Sequence, residues 1–263
     1  SNKQHRYTDV INTNERWQDV LWQDAKRDIE NMIKSVSVFR SRCEDMPENL
    51  RDWQAYSDLR DKIKSLEMLL PLLKHLSMEC IKTRHWGQVM KLCGTSFNVD
   101  GLELRLKTLL SAGLEKHNEN IMSIIDSAKR ELAIETKLND IKDRWGLQNF
   151  EFGAWRERQA PILKNVLPIV EDLEEAQTTI QTMLTLQHVG PFRVEAENKL
   201  KELSDTSDTL EQWMKVQTLW CSMEAVFTGG DIMRQMPLEA KKFNKINKEW
   251  GKVMSKSVKI SNV

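Results

Sequence analysis

Corners are scarce in this sequence. Ten glycines and six prolines in 263 residues are too few for the many turns of an all-β or loop-rich fold, so the composition points to long helices with few breaks. Cysteine is sparse as well: Cys43, Cys80, Cys93 and Cys221 form no C-x-x-C pair and no disulfide framework, a pattern that suits reduced thiols in a cytosolic compartment. No apolar run approaches the roughly 20 residues that a membrane span requires, and the opening SNKQHRYTDV lacks the apolar centre of a secretory signal. Neither sign of charge is in excess, because lysine plus arginine and aspartate plus glutamate each total 39. The long-range field that gathers nucleic acid or an anionic membrane surface is missing, so neither is expected as a partner.

What the chain does have is helical periodicity. A hydrophobic content of 40% beside 30% charged residues is ordinary for a core-forming protein of one large or two small domains. Over 10–44, Trp17, Leu21, Ala25, Ile29, Met32, Ile33 and Val36 recur at three- and four-residue steps, which predicts one long amphipathic helix. Pro47 then sits where a first turn tolerates proline, and a leucine-rich helix follows from Trp53 until Pro71, which is expected to kink or end it. Further helices are predicted over 78–92, 102–115, 118–145, 167–186, 192–203, 209–227 and 238–254, with loops or breaks at 93–101, at Gly190-Pro191 and in the SDTSDT run. In GLQNFEFGAWRERQAPI, Phe150 and Phe152 alternate with polar residues, and Gly153-Ala154 can turn, so a short β-hairpin is expected near 147–162. The fold class is therefore all-α, an elongated stack of antiparallel helical bundles with approximate sub-bundles 1–92, 102–186 and 192–263. The chain opens without methionine and stops at KSVKISNV without an evident cap, which reads as a piece of something longer.

Chemistry finds no foothold in these residues. A phosphate-gripping loop needs G-x-x-x-x-G-K-[ST]; here Gly251-Lys252 is followed by valine and Gly229-Gly230 by Asp231, whose carboxylate would repel phosphate. His75, Cys80, His85 and Cys93 are the local soft ligands, but steps of five do not converge on one helix face as steps of four do. No serine stands in G-x-S-x-G and no cysteine has an activating context. No catalytic, cofactor-binding or metal-binding residue is therefore assigned. The stretch FTGGDIMRQMPLEAKKF, 227–243, is instead read as a corner. Gly229 and Gly230 close one helix in the left-handed conformation, Asp231 caps the next turn, and Pro237 with Glu239 opens a further helix. Ile232, Met236, Leu238 and Phe243 are expected inside the bend. Echoes such as RHWGQVM (84–90) and KEWGKVM (248–254) recur without a fixed period, so the tryptophans are read as packing residues pinning successive helices.

The same region carries a family likeness. WMKVQTLWCSMEAVFTGGDIMRQMPLEAKKFNKINKEWGKVM, 213–254, resembles the linker region of dynein heavy chains. The residues that carry it are Trp213, Gln217, Trp220, Glu224, Phe227, Gly229, Gly230, Asp231, Ile232, Pro237, Glu239, Phe243 and Trp250, and KTRHWGQVM (82–90) and AKRELAIETKLNDIKDRW (128–145) are similar to the same region. The form of the glycine corner is most like axonemal heavy chains, those of the outer arm above all. The resemblance implies a single linker segment, a lever arm that passes nucleotide-driven rearrangement of an ATPase ring to the tail during microtubule-based ciliary motility. It implies a cytoplasmic, cytoskeletal location in a ciliary or flagellar axoneme. Partners would be the ring and tail of the same heavy chain, with neighbouring heavy chains or accessory chains, and the microtubule only indirectly. ATP and Mg would belong to the ring of the parent chain, an ATP-driven motor, since this sequence stops soon after Met254, before the stretch that leads into the first ATPase module. The alternative is a free-standing helical scaffold or cytoskeletal cross-linker, against which stands the irregular spacing. For a lever, bending is expected to concentrate at Pro71, 93–101 and 187–191, where backbone ladders are interrupted.

Overall fold

A three-four alternation of apolar residues builds the first long helices. The structure, a computed structural model, describes residues 2–157 and 160–263. Its helices in the first part of the chain are α1 (Asn2–Gln18), α2 (Trp22–Glu44), α3 (Glu48–Arg51), α4 (Gln54–Leu76), α5 (Thr83–Cys93) and α6 (Leu106–Leu110), followed by a 3-10 turn (Leu114–His117) and α7 (Asn118–Leu147). Then come strands β1 (Glu151–Gly153) and β2 (Ile162–Lys164), α8 (Val166–Leu184), a second 3-10 turn (Gln187–Phe192), α9 (Arg193–Phe227), α10 (Gly230–Gln235) and α11 (Pro237–Lys259). The all-α class holds, with one short antiparallel strand pair. Two compact units divide the chain, Ser1–Leu132 and Ala133–Val263, so the division falls inside α7 and at neither the 93–101 loop nor the 187–191 break.

In the first unit α2 buries Trp22, Ala25, Ile29, Met32, Val36, Phe39 and Cys43, a continuous stripe at alternating steps of three and four. It meets the leucine face of α4, and the two ion pairs Lys74–Glu30 and Arg40–Glu67 show that the helices run antiparallel. Pro71 does not end α4, which continues to Leu76. A mid-helix proline costs about 3 kcal/mol, whereas Leu69, Leu70, Leu72, Leu73 and Leu76 beside it are all buried, each worth roughly 1.5–3 kcal/mol. Packing therefore outweighs the proline.

The single helix expected over 10–44 is broken at 19–21. The Trp22 N–H donates to the Leu104 carbonyl at 2.7 Å, the Leu106 N–H to the Val20 carbonyl at 2.8 Å, and the Arg105 guanidinium to the Asp19 carbonyl at 2.7 Å. Backbone groups that would have stayed inside a helix are paired across the fold instead, which also explains why 102–115 is not one helix. Trp22 is thereby fully buried, edge-on to Trp86 at 5.8 Å, and Trp86 is edge-on to Phe97 at 5.9 Å.

In the second unit Ile134, Leu138, Ile141 and Trp145 of α7 share a core with α8 and α9. The antiparallel course of α8 and α9 follows from Arg193 reaching the Leu184 carbonyl while Val170 and Glu174 line the same groove as Leu210 to Leu219. The SDTSDT run does not interrupt α9, contrary to the sequence expectation. Ser204, Thr206 and Thr209 donate their hydroxyls to the carbonyls four residues back, at 2.7–2.8 Å, and Leu203 and Leu210 are buried on either side. Ser, Thr and Asp lose at most about 0.7 kcal/mol each in a helix, about 4 kcal/mol over the six, a cost of the same size as the return from the two leucine burials at roughly 1.5–3 kcal/mol each. The predicted hairpin exists as β1 paired with β2, Phe152 opposite Leu163, but Gly153 is a strand residue rather than the turn. Beside β1 the last residues of the chain are tied in by Phe150 N–H to the Ser261 carbonyl and Val263 N–H to the Gln148 carbonyl, at 2.7 and 2.9 Å.

Candidate functional site

Trp213, Gln217, Trp220, Glu224 and Phe227 follow each other along α9 at steps of four, three, four and three. That spacing places all five on one stripe. Two of the five are polar, and both are buried: Gln217 is 5% exposed and Glu224 2%. A buried amide or carboxylate has to find partners or cost about 1–3 kcal/mol, and the partners lie on the hairpin.

Gln217 accepts the Leu163 N–H through Oε1 at 2.8 Å and donates Nε2–H to the Leu163 carbonyl at 3.0 Å. The side-chain amide thus does what a neighbouring strand would do. It satisfies both backbone groups of the central residue of β2, an otherwise open sheet edge. Two turns further along α9, Glu224 Oε2 accepts the Trp155 indole N–H at 3.0 Å, and the Arg156 guanidinium stands 3.7 Å from the same oxygen. Arg156 lies over the Trp155 ring at 5.3 Å and takes a left-handed backbone, φ 53°. The hairpin and the loop after β1 are therefore clasped to α9 at two points.

On its other flank the stripe meets α11. Trp220 stacks on Trp250 at 5.3 Å and 22°, and its indole N–H donates to Asn247 Oδ1 at 3.1 Å. Phe227 stacks on Phe243 at 5.4 Å and 18°. Trp213 lies against Phe150 and Phe152 of the hairpin, at 5.7 and 6.3 Å. Aromatic pairs of this kind add about 0.5–1.5 kcal/mol each beyond their burial.

The corner itself is built otherwise than the glycines suggest. Gly229 is extended, φ −78° and ψ 117°, and stands at the N-cap of α10, while Gly230 is the first residue of that helix; the left-handed glycines are Gly94 and Gly113. The reason is that Thr228 already closes α9: its N–H and its hydroxyl both return to the Glu224 carbonyl, at 3.2 and 2.7 Å. Asp231 lies in the first turn of α10 without a capping bond from its side chain. Pro237 does open α11, with Glu239 in the first turn. Of the residues expected inside the bend, Phe243 is buried and Ile232 half-buried, whereas Met236 and Leu238 are 46% and 71% exposed.

The arrangement offers contact and stiffness. The Cys221 thiol beside it is pushed up first by burial and then by the Glu224 charge, which opposes a nucleophilic thiolate. In the first unit His85 is fully engaged: Nδ1 accepts the Lys82 N–H at 2.9 Å, so Nε2 carries the proton toward Glu131 Oε2 at 2.9 Å, and Arg84 donates to the same oxygen. It therefore fixes α5 to α7, and it does not converge with His75, Cys80 and Cys93; among the described residues no group of histidine, cysteine and carboxylate side chains is arranged for a metal. The sequence reading missed Trp155, Arg156, Leu163 and Asn247. The signal that could have led to them was the pair of polar residues on an otherwise aromatic stripe.

Comparison with known proteins places these residues in a family. The family model for dynein heavy chain, N-terminal region 2, matches residues 4–263. Dynein axonemal heavy chain 8 of Homo sapiens is 35% identical over 259 residues, 98% of this chain and 6% of that protein. The flagellar outer-arm dynein gamma chain of Chlamydomonas reinhardtii is also 35% identical over 259 residues, and the ciliary dynein beta chain of Tripneustes gratilla 28% identical over 250. The chain spans about 6% of the length of these relatives. It belongs to the dynein heavy chain family, within N-terminal region 2.

Proposed function

We propose that the chain is a mechanical linker segment of an axonemal dynein heavy chain, a lever that carries nucleotide-driven rearrangement of the ATPase ring to the tail. The observation that carries this reading is the two-point clasp: Gln217 and Glu224 hold the hairpin and its loop to α9 with directional bonds, while stacked aromatic pairs hold α11. A lever needs elements that do not slide past each other, and buried hydrogen bonds resist sliding where apolar contacts alone permit it. ATP and Mg act in the ring, outside this segment, and the protein works in the axoneme, its immediate partners being the ring and tail of the same chain. Neighbouring heavy chains or accessory chains complete the surroundings, and the microtubule is engaged only through other parts of the motor.

The test separates turnover from movement. In the intact heavy chain carrying Gln217→Leu and Glu224→Leu, ATP turnover is expected to stay near wild type while microtubule gliding slows, with a thermal melt confirming that the variant is folded at the assay temperature. Turnover falling in step with velocity would mean that the segment acts on the ring's chemistry, and the lever reading would fail.

A further inference from the structure

The last helix is unlike the rest of this electrically balanced chain. α11 carries seven lysines against two glutamates, and all seven lysines are exposed. Between it and α9 runs an open groove of about 710 Å³, walled by Trp213 and Val216 on one side and by Ile246, Trp250 and Val253 on the other. Val216, Ile246 and Val253 are 49%, 47% and 54% exposed. These are apolar residues at helical spacing, a stripe already built and left without a covering element among the described residues. An amphipathic helix lays its apolar face into a groove of this form.

The rim says what kind of helix. At 100° per residue, Lys242, Lys245, Glu249, Lys252 and Lys256 form a row along the α11 edge of the groove. Glu249 holds Lys252 at 2.8 Å, and among the described residues no carboxylate lies within salt-bridge distance of Lys242, Lys245 or Lys256. The α9 wall adds the uncharged Thr209 and Gln212. An occupant that is apolar beneath and acidic along the α11 side matches both features, whereas a basic one would set like charges against each other.

We propose that this groove docks an acidic amphipathic helix from elsewhere in the same heavy chain. The source rests on the linker reading above. The chain makes up about 6% of its relatives' length, and a segment of the same polypeptide whose connection spans the distance binds intramolecularly, at an effective concentration that a short flexible connection raises to the order of millimolar. A separate protein would need far higher affinity for equal occupancy.

A photoreactive residue at Val253, with Ser255 on the exposed opposite face as control, tests this in the intact heavy chain freed of accessory chains. Both positions are solvent-facing, so folding is preserved. The expected result is cross-linking from 253, and not from 255, to a segment of the same polypeptide with apolar residues every three or four positions and flanking acids. Its yield should fall roughly tenfold when Lys242, Lys245 and Lys256 are changed to glutamate. No cross-link above the 255 control, or a basic or extended segment at 253, overturns the proposal, as does a cross-link that requires an added protein. Repeating the experiment with ADP and with a non-hydrolysed ATP analogue keeps the two readings apart. A cross-link indifferent to nucleotide leaves the docking in place and counts against a moving lever; a missing one removes the docking and leaves the lever untouched.

Discussion

Gln217→Leu tests the clasp most directly, because the substitution keeps the volume of the side chain and removes only its hydrogen bonds. In the native unit both the N–H and the carbonyl of Leu163 end on this one amide, at 2.8 and 3.0 Å, in a setting where Gln217 is 5% exposed. The leucine strands two buried backbone groups, at about 1–3 kcal/mol each. An edge strand can relax enough to admit water to one of them, and leucine gains some apolar burial. A net loss of about 3 kcal/mol follows, in the lower half of the roughly 2–6 kcal/mol that two stranded groups would cost. For a unit of this size that is a fall in melting temperature of roughly 10 °C, confined to the 133–263 unit. The sharper assay is amide hydrogen exchange: protection at Leu163 should drop by about two orders of magnitude, while amides in the α4 core such as Leu72 stay unchanged. Gln217→Asn should behave similarly, since it is one methylene too short to reach both groups. A Gln217→Leu protein that melts within about 0.5 kcal/mol of wild type and keeps Leu163 protected would refute the claim that this amide closes the sheet edge.

Glu224→Leu leaves the Trp155 indole N–H without its acceptor and should cost about 1–3 kcal/mol. Glu224→Gln keeps the acceptor and should recover most of that in a thermal melt followed by tryptophan emission; equal losses would show that the Arg156 charge, rather than the indole bond, matters there. Gly230→Val should be nearly silent, within about 0.5 kcal/mol, because Gly230 opens a helix with no atom within 4 Å of an added Cβ, whereas Gly94→Val, at φ 63°, should cost about 1–2 kcal/mol. Paired chemical denaturation of the two variants decides it, and a Gly230→Val loss as large as that of Gly94→Val would contradict the geometry. Burial pushes the thiols of Cys43, Cys93 and Cys221 above their ordinary 9.0. Their contribution to stability is therefore complete below that pH and is lost as pH rises through the folded values, once the unfolded chain ionises first. Alkylation of the folded protein at roughly pH 8 should be slower than that of free cysteine, and fast uniform labelling would show that these thiols are open to solvent.

Helical class was legible wherever burial is one-sided and local. The stripes of α2 and of α7 are visible as steps of three and four, and the hairpin as alternation around Phe150 and Phe152. What was not legible depends on partners far along the chain. The break at 19–21 exists because the 104–106 backbone is there to pair with it, Arg105 reaching a carbonyl 86 residues away. Local propensity marked SDTSDT as a break, and tertiary packing overrode it. At the site the five α9 residues could be placed on one face from sequence alone. Their partners Leu163 and Trp155 lie 54 and 69 residues upstream of Gln217 and Glu224, on a strand and a loop whose register no periodicity fixes. The glycine pair misled for a different reason: Thr228 supplies the closure that a left-handed glycine would otherwise provide.

One helical stripe that serves two neighbours has a mechanical consequence. Apolar side chains alone can slip by a ridge at modest cost, since the area buried before and after is similar. Gln217 cannot slip, because one residue along β2 in either direction, at Ile162 or Lys164, the backbone N–H and carbonyl turn toward β1, and the amide would lose both of its partners. Trp220 is bound on the opposite flank by both a stacked ring and Asn247, so displacement of α11 along α9 breaks a directional bond as well. Hairpin, α9 and α11 are thus registered to each other by polar bonds and held close by aromatic area. In the linker reading this is where a load applied to α11 would pass to the hairpin without creep, and Trp220→Phe, which keeps the stacking but loses the Asn247 bond, should loosen exchange protection across α11 while leaving the Leu163 amide protected. Loss of both together would mean that the three elements yield as one, with no separate registers to break.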